Sequence, residues 1–187
     1  MSETWRCFVA VPLGEELRRA LRTLVDRWRD EPDFAGLRWT DPDSWHVTLA
    51  FLGSVEVDRI GTLGATLREV AAVHAPMRLP TGGLGGFPRD RKARVLWYGI
   101  LDPERALGDL ARGLNVALGV DAADFRPHVT LARARREPVS VRALAERPSP
   151  EGRLDVDHVD LMRSHLGRGP ARYELLDTVE LGVTARV

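Results

Sequence analysis

The chain has 187 residues, with 27 basic and 27 acidic side chains and 44% apolar content. It is long enough to bury a core, too apolar for wholesale disorder, and too balanced in charge to coat long nucleic acid by bulk electrostatics. No apolar run approaches the ~18 residues of a membrane span, and the single cysteine, Cys7, excludes an internal disulfide framework or a cysteine-cluster metal site.

The first residues, Met1 to Trp5, include Glu3 and no apolar stretch, so a cytoplasmic protein rather than a secreted one is expected. Arg6–Val11 reads as a strand, with Cys7 a small buried hydrophobe in it. Leu17, Leu21, Leu24, Val25 and Trp28 then recur at helical spacing. Trp45–Leu52 alternates with period two and predicts a strand. Ile60, Leu63, Leu67 and Val70 mark a second helix, and Met77–Thr81 another strand. The run Gly82-Gly83-Leu84-Gly85-Gly86 lacks the context of a dinucleotide fingerprint, so a hairpin or bulge is expected there and no cofactor. Arg89, Arg91, Lys92 and Arg94 form a basic cluster, either a solvated loop or a lip that tracks RNA phosphates beyond a scissile group. Arginine dominates the basic residues and Lys92 is the only lysine, so an anion site here would use planar guanidinium groups.

Val95–Ile100 predicts a strand. Asp102-Pro103 predicts a helix start, with aspartate as cap and proline at the first helical position. The stripe Leu107, Leu110, Leu114 and Leu118 follows, and Gly119 closes it. Pro127 suits a strand beginning at a sheet edge. Arg147-Pro148-Ser149-Pro150 reads as a loop, and Asp155–Arg163 and Arg172–Leu181 as strands. Short strands mixed with long helices predict an α+β protein of antiparallel sheets, with residues 1–187 forming one unit without a long linker.

The pentapeptide His46-Val47-Thr48-Leu49-Ala50 recurs intact as His128-Val129-Thr130-Leu131-Ala132. Such a match arises by chance on the order of a few times in a hundred chains of this length, so two related halves are expected. Period two places His46 and Thr48 on one face of a strand, over Val47 and Leu49; His128 and Thr130 lie likewise over Val129 and Leu131. A duplicated core needs its apolar positions repeated, not its polar ones.

If the polar faces meet across a cleft, two imidazoles confront each other. That is what in-line phosphoryl displacement needs near neutral pH: one neutral, to take a proton from the attacking oxygen, and one protonated, to give a proton to the leaving oxygen. Thr48 and Thr130 could bond the non-bridging phosphate oxygens, an arginine could complete the neutralisation, and no metal is needed. Trp45, Phe125 and Tyr173 are expected first as core residues, with stacking on a base as the alternative, for which Tyr173 is the best because its phenol suits a half-wet rim. His74 closes a helical stripe, His158 and His165 have no partner motif, and all three are assigned to structure.

The flanks of these motifs also resemble a family. Trp45-His46-Val47-Thr48-Leu49-Ala50-Phe51-Leu52-Gly53 and Arg126-Pro127-His128-Val129-Thr130-Leu131-Ala132-Arg133 are similar to the paired motifs of the two-histidine phosphoesterases. The nearest resemblance is to the LigT-like RNA 2',3'-cyclic phosphodiesterases, also called 2'-5' RNA ligases. Arg6 to Val11, Gly85-Gly86-Phe87-Pro88 with Arg94-Val95-Leu96-Trp97, and Ser164-His165-Leu166 with Gly169 and Tyr173 extend it over nearly the whole chain. The resemblance implies a bilobal, pseudo-symmetric α+β fold with the site between lobes. It implies metal-free hydrolysis of RNA 2',3'-cyclic phosphate ends, such as those of tRNA fragments, to 2'-phosphomonoesters by a cytoplasmic monomer, with 2'-5' ligation as a further direction. It makes His46 the proton donor and His128 the acceptor, a split that the symmetry of the motifs leaves open.

Arg133 matches a family arginine that binds phosphate. Strict alternation puts it on the face opposite His128, so it reaches the site only if the strand twists or bulges after Ala132, or if its side chain wraps the strand end. Phe51 holds the corresponding place in the first half. Competing expectations are a phosphodiesterase of small cyclic phosphates, such as ADP-ribose 1'',2''-cyclic phosphate or cyclic nucleotides, and a non-catalytic module binding RNA ends or nucleotides.

Overall fold

The structure, a computed structural model, describes residues 3–121, 124–142, 147–165, 167 and 171–182. In chain order these form β1 (Thr4–Pro12), α1 (Glu15–Trp28), β2 (Leu37–Trp39), β3 (His46–Glu56), α2 (Ile60–Ala71), β4 (Met77–Phe87), β5 (Val95–Ile100), α3 (Ala106–Leu118), β6 (His128–Ala134), β7 (Gly152–Val156), β8 (His158–His165) and β9 (Arg172–Glu180). Leu166 and Gly169, cited in the resemblance, lie outside the described residues.

The strands make one antiparallel sheet in the order β7-β4-β5-β6-β3-β1-β8-β9, with β2 also pairing with β6. Two four-stranded halves mirror each other about the β3–β6 junction. Each contains a strand–helix–strand unit, β1-α1-β3 or β5-α3-β6, whose last strand carries one copy of the pentapeptide. The lobes read from the sequence are thus halves of a single sheet. They meet at one register pair, Val47 with Val129, the second residue of each pentapeptide, so the pseudo-two-fold axis passes there. Val47, Leu49, Val129 and Leu131 are all buried. At about 1.5–3 kcal/mol for each fully buried aliphatic side chain, that stripe fixes which face of both strands turns inward. The helices cover the same side through the residues their spacing indicated: Leu17, Leu21, Leu24, Val25 and Trp28 of α1, and Leu107, Leu110 and Leu114 of α3.

Four sequence expectations are corrected. Pro127 does not open an edge strand: β6 lies between β5 and β3, and the Pro127 carbonyl accepts from Ile100 N at 3.1 Å. Asp155–Arg163 is not one strand, because the chain breaks at Asp157 and passes from the β4 edge to the far side of β1. α3 starts at Ala106, after Arg105 in the left-handed region (φ 59°), not at Pro103. Asp102 still caps it, accepting from Gly108 N at 2.8 Å. The strand expected over Met77–Thr81 runs on to Phe87, and the glycine run within it holds the expected bulge, a register irregularity between Thr81 and Leu84.

Two further irregularities matter more. β1 pairs Val9 with Ala50 and Ala10 with Thr48, skipping Leu49; β5 pairs Leu96 with Ala132 and Trp97 with Thr130, skipping Leu131. The same residue of each pentapeptide is therefore bulged. A bulge adds one residue to one strand and inverts the side-chain alternation beyond it. Leu49 and Ala50 are both buried, as are Leu131 and Ala132, and Phe51 and Arg133 emerge on the histidine face.

Candidate active site

The antiparallel register through Val47 and Val129 sets His46 across from Thr130 and Thr48 across from His128. All four side chains stand on the face opposite the core stripe, and all are half-buried. The two threonine hydroxyls have no hydrogen-bond partner among the described residues.

Each imidazole is held in the same way. His46 Nδ1 lies 2.7 Å from the carbonyl of Ser44, and His128 Nδ1 lies 2.6 Å from the carbonyl of Arg126. A carbonyl only accepts, so Nδ1 carries the hydrogen in both rings. The free nitrogen of each ring is Nε2. It is a bare lone pair when the ring is neutral and an N–H donor when the ring is protonated, so either ring can serve as base or acid without turning.

Burial lowers the pKa of both histidines below the ordinary imidazole value. For His46 the Ser44 carbonyl opposes the shift, while positive charge on His128 and on Arg133 adds to it. For His128 the Arg126 carbonyl opposes it and Arg133 adds to it. The positive charge of one guanidinium thus bears on both rings. The bulge at Leu131, one residue ahead of where the sequence reading allowed it, is what turns Arg133 to this face.

Aromatic rings wall the site on both sides. In the first half Phe8 packs on His46 at 4.9 Å between ring centroids, and Tyr173 meets His46 edge-on at 5.2 Å and Phe8 at 5.1 Å. Tyr173 arrives there because β9 pairs it with Ser164 of β8, which pairs in turn with Arg6 of β1. A cleft of about 300 Å³ opens beside His46, lined by Pro12, Arg18, Ser44, Met162, Arg172 and Tyr173 among others. In the second half Phe87 meets His128 edge-on at 4.9 Å, and Trp97 lies 5.4 Å from Phe87 and 6.3 Å from His128. Trp97 lies over Gly85, where any β-carbon would come within 2.3 Å of the indole. That close approach is the reason for glycine at this position.

The fold therefore brings together His46, Thr48, His128, Thr130, Arg133 and Tyr173. Arg91 and Lys92 occupy the exposed turn Asp90–Lys92 after β4, and no contact ties them to the histidines. Trp45 is core, 3% exposed, and its Nε1 donates to Thr40 Oγ1. Phe125 lines a second cavity of about 590 Å³ beside α3, with Asp124 and Arg126. His158 bonds Asp157, His165 bonds Glu174, and His74 packs near Gly113. Cys7 is buried. The sequence reading missed Phe8, Phe87 and Trp97 as walls of the site. It also missed Arg38, which β2 pairs directly with Arg133. Only strand pairing reveals these neighbours; the bulge left a visible trace in the repeat itself, since Phe51 and Arg133 follow the two motifs at the same distance.

A family model described as LigT-like phosphoesterase matches residues 11–97. An RNA 2',3'-cyclic phosphodiesterase of Methanothermobacter thermautotrophicus is 30% identical over 169 residues, covering 86% of this chain and 90% of the relative. One from Geobacillus stearothermophilus is 31% identical over 90% of this chain, which spans only 55% of that relative's length. Among solved structures, Escherichia coli LigT complexed with 3'-AMP superposes with a TM-score of 0.76 at 27% identity, covering 96% of this chain and 99% of the other. The same protein complexed with phosphate gives 0.75 at 29% identity, covering 97% and 99%.

Proposed function

The chain belongs to the LigT-like phosphoesterase family, and from that membership and its site we propose that it hydrolyses RNA 2',3'-cyclic phosphate ends to 2'-phosphomonoesters by two-histidine acid–base catalysis. The observation that carries this reading is the mirrored pinning of Nδ1 at 2.7 and 2.6 Å, which leaves two equivalent Nε2 atoms, one for each proton an in-line displacement must move.

The wall of Phe8 and Tyr173 and the cleft beside His46 form an aromatic pocket on one side of the site. A nucleoside seated there, with Tyr173 against its base, keeps its 3'-oxygen on the His46 side. Water then attacks phosphorus in line from the side of His128, whose neutral Nε2 takes the proton. The bond from phosphorus to the 3'-oxygen breaks, and His46 Nε2–H protonates that oxygen. The 2'-linked phosphate remains as the monoester. Thr48 and Thr130 donate to the non-bridging oxygens, and Arg133 neutralises the charge that builds on them. Burial and neighbouring positive charge disfavour a proton on His46 in the free protein; the anionic phosphodiester draws one onto it. A 5'-hydroxyl replacing water in the same step forms a 2'-5' linkage.

This scheme moves two protons and neutralises one anion with side chains alone, so it runs without a metal. A cytoplasmic monomer acting on RNA ends such as those of tRNA fragments is part of the same proposal, with Arg91 and Lys92 holding phosphates beyond the scissile group. No helix among the described residues is long and apolar enough to cross a membrane. The test compares kcat/KM for a short RNA ending in a 2',3'-cyclic phosphate, a cyclic mononucleotide and ADP-ribose 1'',2''-cyclic phosphate, all in EDTA. Preference for the RNA is expected. Turnover of ADP-ribose cyclic phosphate alone would move the substrate to small molecules, and binding without turnover would make the chain a binding module.

A further inference from the structure

The two motif strands share a single register pair, Val47 with Val129, so their ladder alone does little to hold one motif against the other. A side chain outside both motifs supplies the missing tie. Thr40, just after β2, donates its backbone N–H to the Leu131 carbonyl at 2.9 Å. Its hydroxyl lies 2.8 Å from the carbonyls of both Thr130 and Leu131, the two residues at the bulge, and accepts from Trp45 Nε1 at 2.8 Å. The hydroxyl has one hydrogen and shares it between the two carbonyls while using a lone pair for the indole. One oxygen thus joins the bulge that directs Arg133 to the residue that precedes His46.

The other half solves the same problem with different chemistry. There the bulged Leu49 carbonyl accepts from Asn115 Nδ2 of α3 at 3.0 Å, and Asn115 is itself buried. An unrelated side chain on an unrelated element thus reaches the equivalent carbonyl. We propose that Thr40 is a positioning residue for the reaction: its hydroxyl locks the Leu131 bulge and so sets Thr130 and Arg133 against His46. The role rests on the two-histidine reading above. Without the hydroxyl the bulge still forms, because regular alternation would drive Arg133 into the core stripe, but its geometry is no longer fixed relative to the first motif.

The experiment is a double-mutant cycle of Thr40→Val and Arg133→Ala on a 2',3'-cyclic mononucleotide, with thermal midpoints measured alongside. Thr40→Val should lower kcat about tenfold or more, since small misplacements in a site are that costly, with KM changing less. Arg133→Ala should then cost clearly less in the Thr40→Val background than alone, because the guanidinium is already out of place. Thr40→Ser, which keeps the hydroxyl, should restore kcat. A purely structural Thr40 would instead lower the thermal midpoint while leaving kcat within about twofold and the two costs additive, and that result overturns the proposal. So does a Thr40→Ser variant as slow as Thr40→Val. Should Thr40→Val fail to fold, Thr40→Ala below its own thermal midpoint gives the same comparison. A wild-type chain that turns over no cyclic phosphate refutes the parent reading and this role with it.

Discussion

Replacing Gly85 with alanine should damage the site without touching any group that handles a proton. A β-carbon there would lie 2.3, 2.6 and 2.9 Å from three atoms of the Trp97 indole. Carbon atoms settle at about 3.5–4.0 Å, so the ring must retreat by roughly 1 Å. Its ring neighbours are Phe87, at 5.4 Å between centroids, and His128, at 6.3 Å. A displacement toward that pair is passed to the imidazole, which Phe87 meets at 4.9 Å. Overpacking of this kind costs about 1–3 kcal/mol, equivalent to about 2–4 °C in the thermal midpoint per kcal/mol for a chain of this size. A displacement of about 1 Å at a reacting group costs up to about a hundredfold in rate. The prediction is a loss of about ten- to a hundredfold in kcat/KM for a cyclic mononucleotide, together with a midpoint lower by several degrees. Gly61→Ala is the control, because Gly61 lies on α2 with open space where its β-carbon would go, and it should leave kcat/KM unchanged without lowering the midpoint. Wild-type kcat/KM in Gly85→Ala would refute the reasoning and remove Trp97 from the frame of the site.

Arg133→Ala should lower kcat/KM about a hundredfold, the usual cost of removing one donor to a developing oxyanion, and Arg133→Lys should recover only part of it, because an ammonium cannot bond two oxygens side by side. Both histidines have folded-state pKa values below the unfolded value of about 6.5, so below that pH the unfolded chain binds protons that the folded chain resists. Their contribution to stability is therefore lost as pH falls below about 6.5 and is flat above it. Thermal midpoints from about pH 7.5 to about pH 5.5 should fall more steeply for wild type than for the His46→Gln, His128→Gln double variant; equal slopes would count against buried, neutral rings. Arg91→Ala with Lys92→Ala should raise KM for an RNA substrate and leave a cyclic mononucleotide unaffected, and equal effects on both would leave the turn without a role in RNA binding.

The repeat made the chemistry legible because the polar positions recur along with the apolar ones, and the stripe Val47, Leu49, Val129 and Leu131 is buried as its spacing requires. Helix faces were legible for the same reason. The position of Arg133 was not, because alternation is a local rule and the bulge that breaks it is held by distant groups: Thr40 for Leu131 and Asn115 for Leu49. Pro127 misled because a proline lacking its N–H suits an edge, yet here its carbonyl faces β5 just before the central ladder begins. The break at Asp157 was hidden because β7 and β8 read as one apolar alternation, while their partners lie in opposite halves of the sheet. Long-range pairing decided each of these outcomes, and local pattern carries no information about it.

The pseudo-symmetry also limits what each half can do alone. The two imidazoles are pinned alike, so the direction of the reaction has to come from what surrounds them. Phe51, 71% exposed, stands where Arg133 stands in the other half. At this one place the first half thus adds an aromatic surface and the second a charge, which suits a substrate with a base at one end and a phosphate at the other.

The most direct test of the two-histidine account is the ³¹P spectrum of the product formed from a short RNA ending in a 2',3'-cyclic phosphate, in EDTA, by wild type, His46→Ala and His128→Ala. Complete conversion to the 2'-phosphomonoester by wild type and an unchanged cyclic phosphate with either variant are expected. A 3'-phosphate product, or wild-type conversion by either histidine variant, would contradict it.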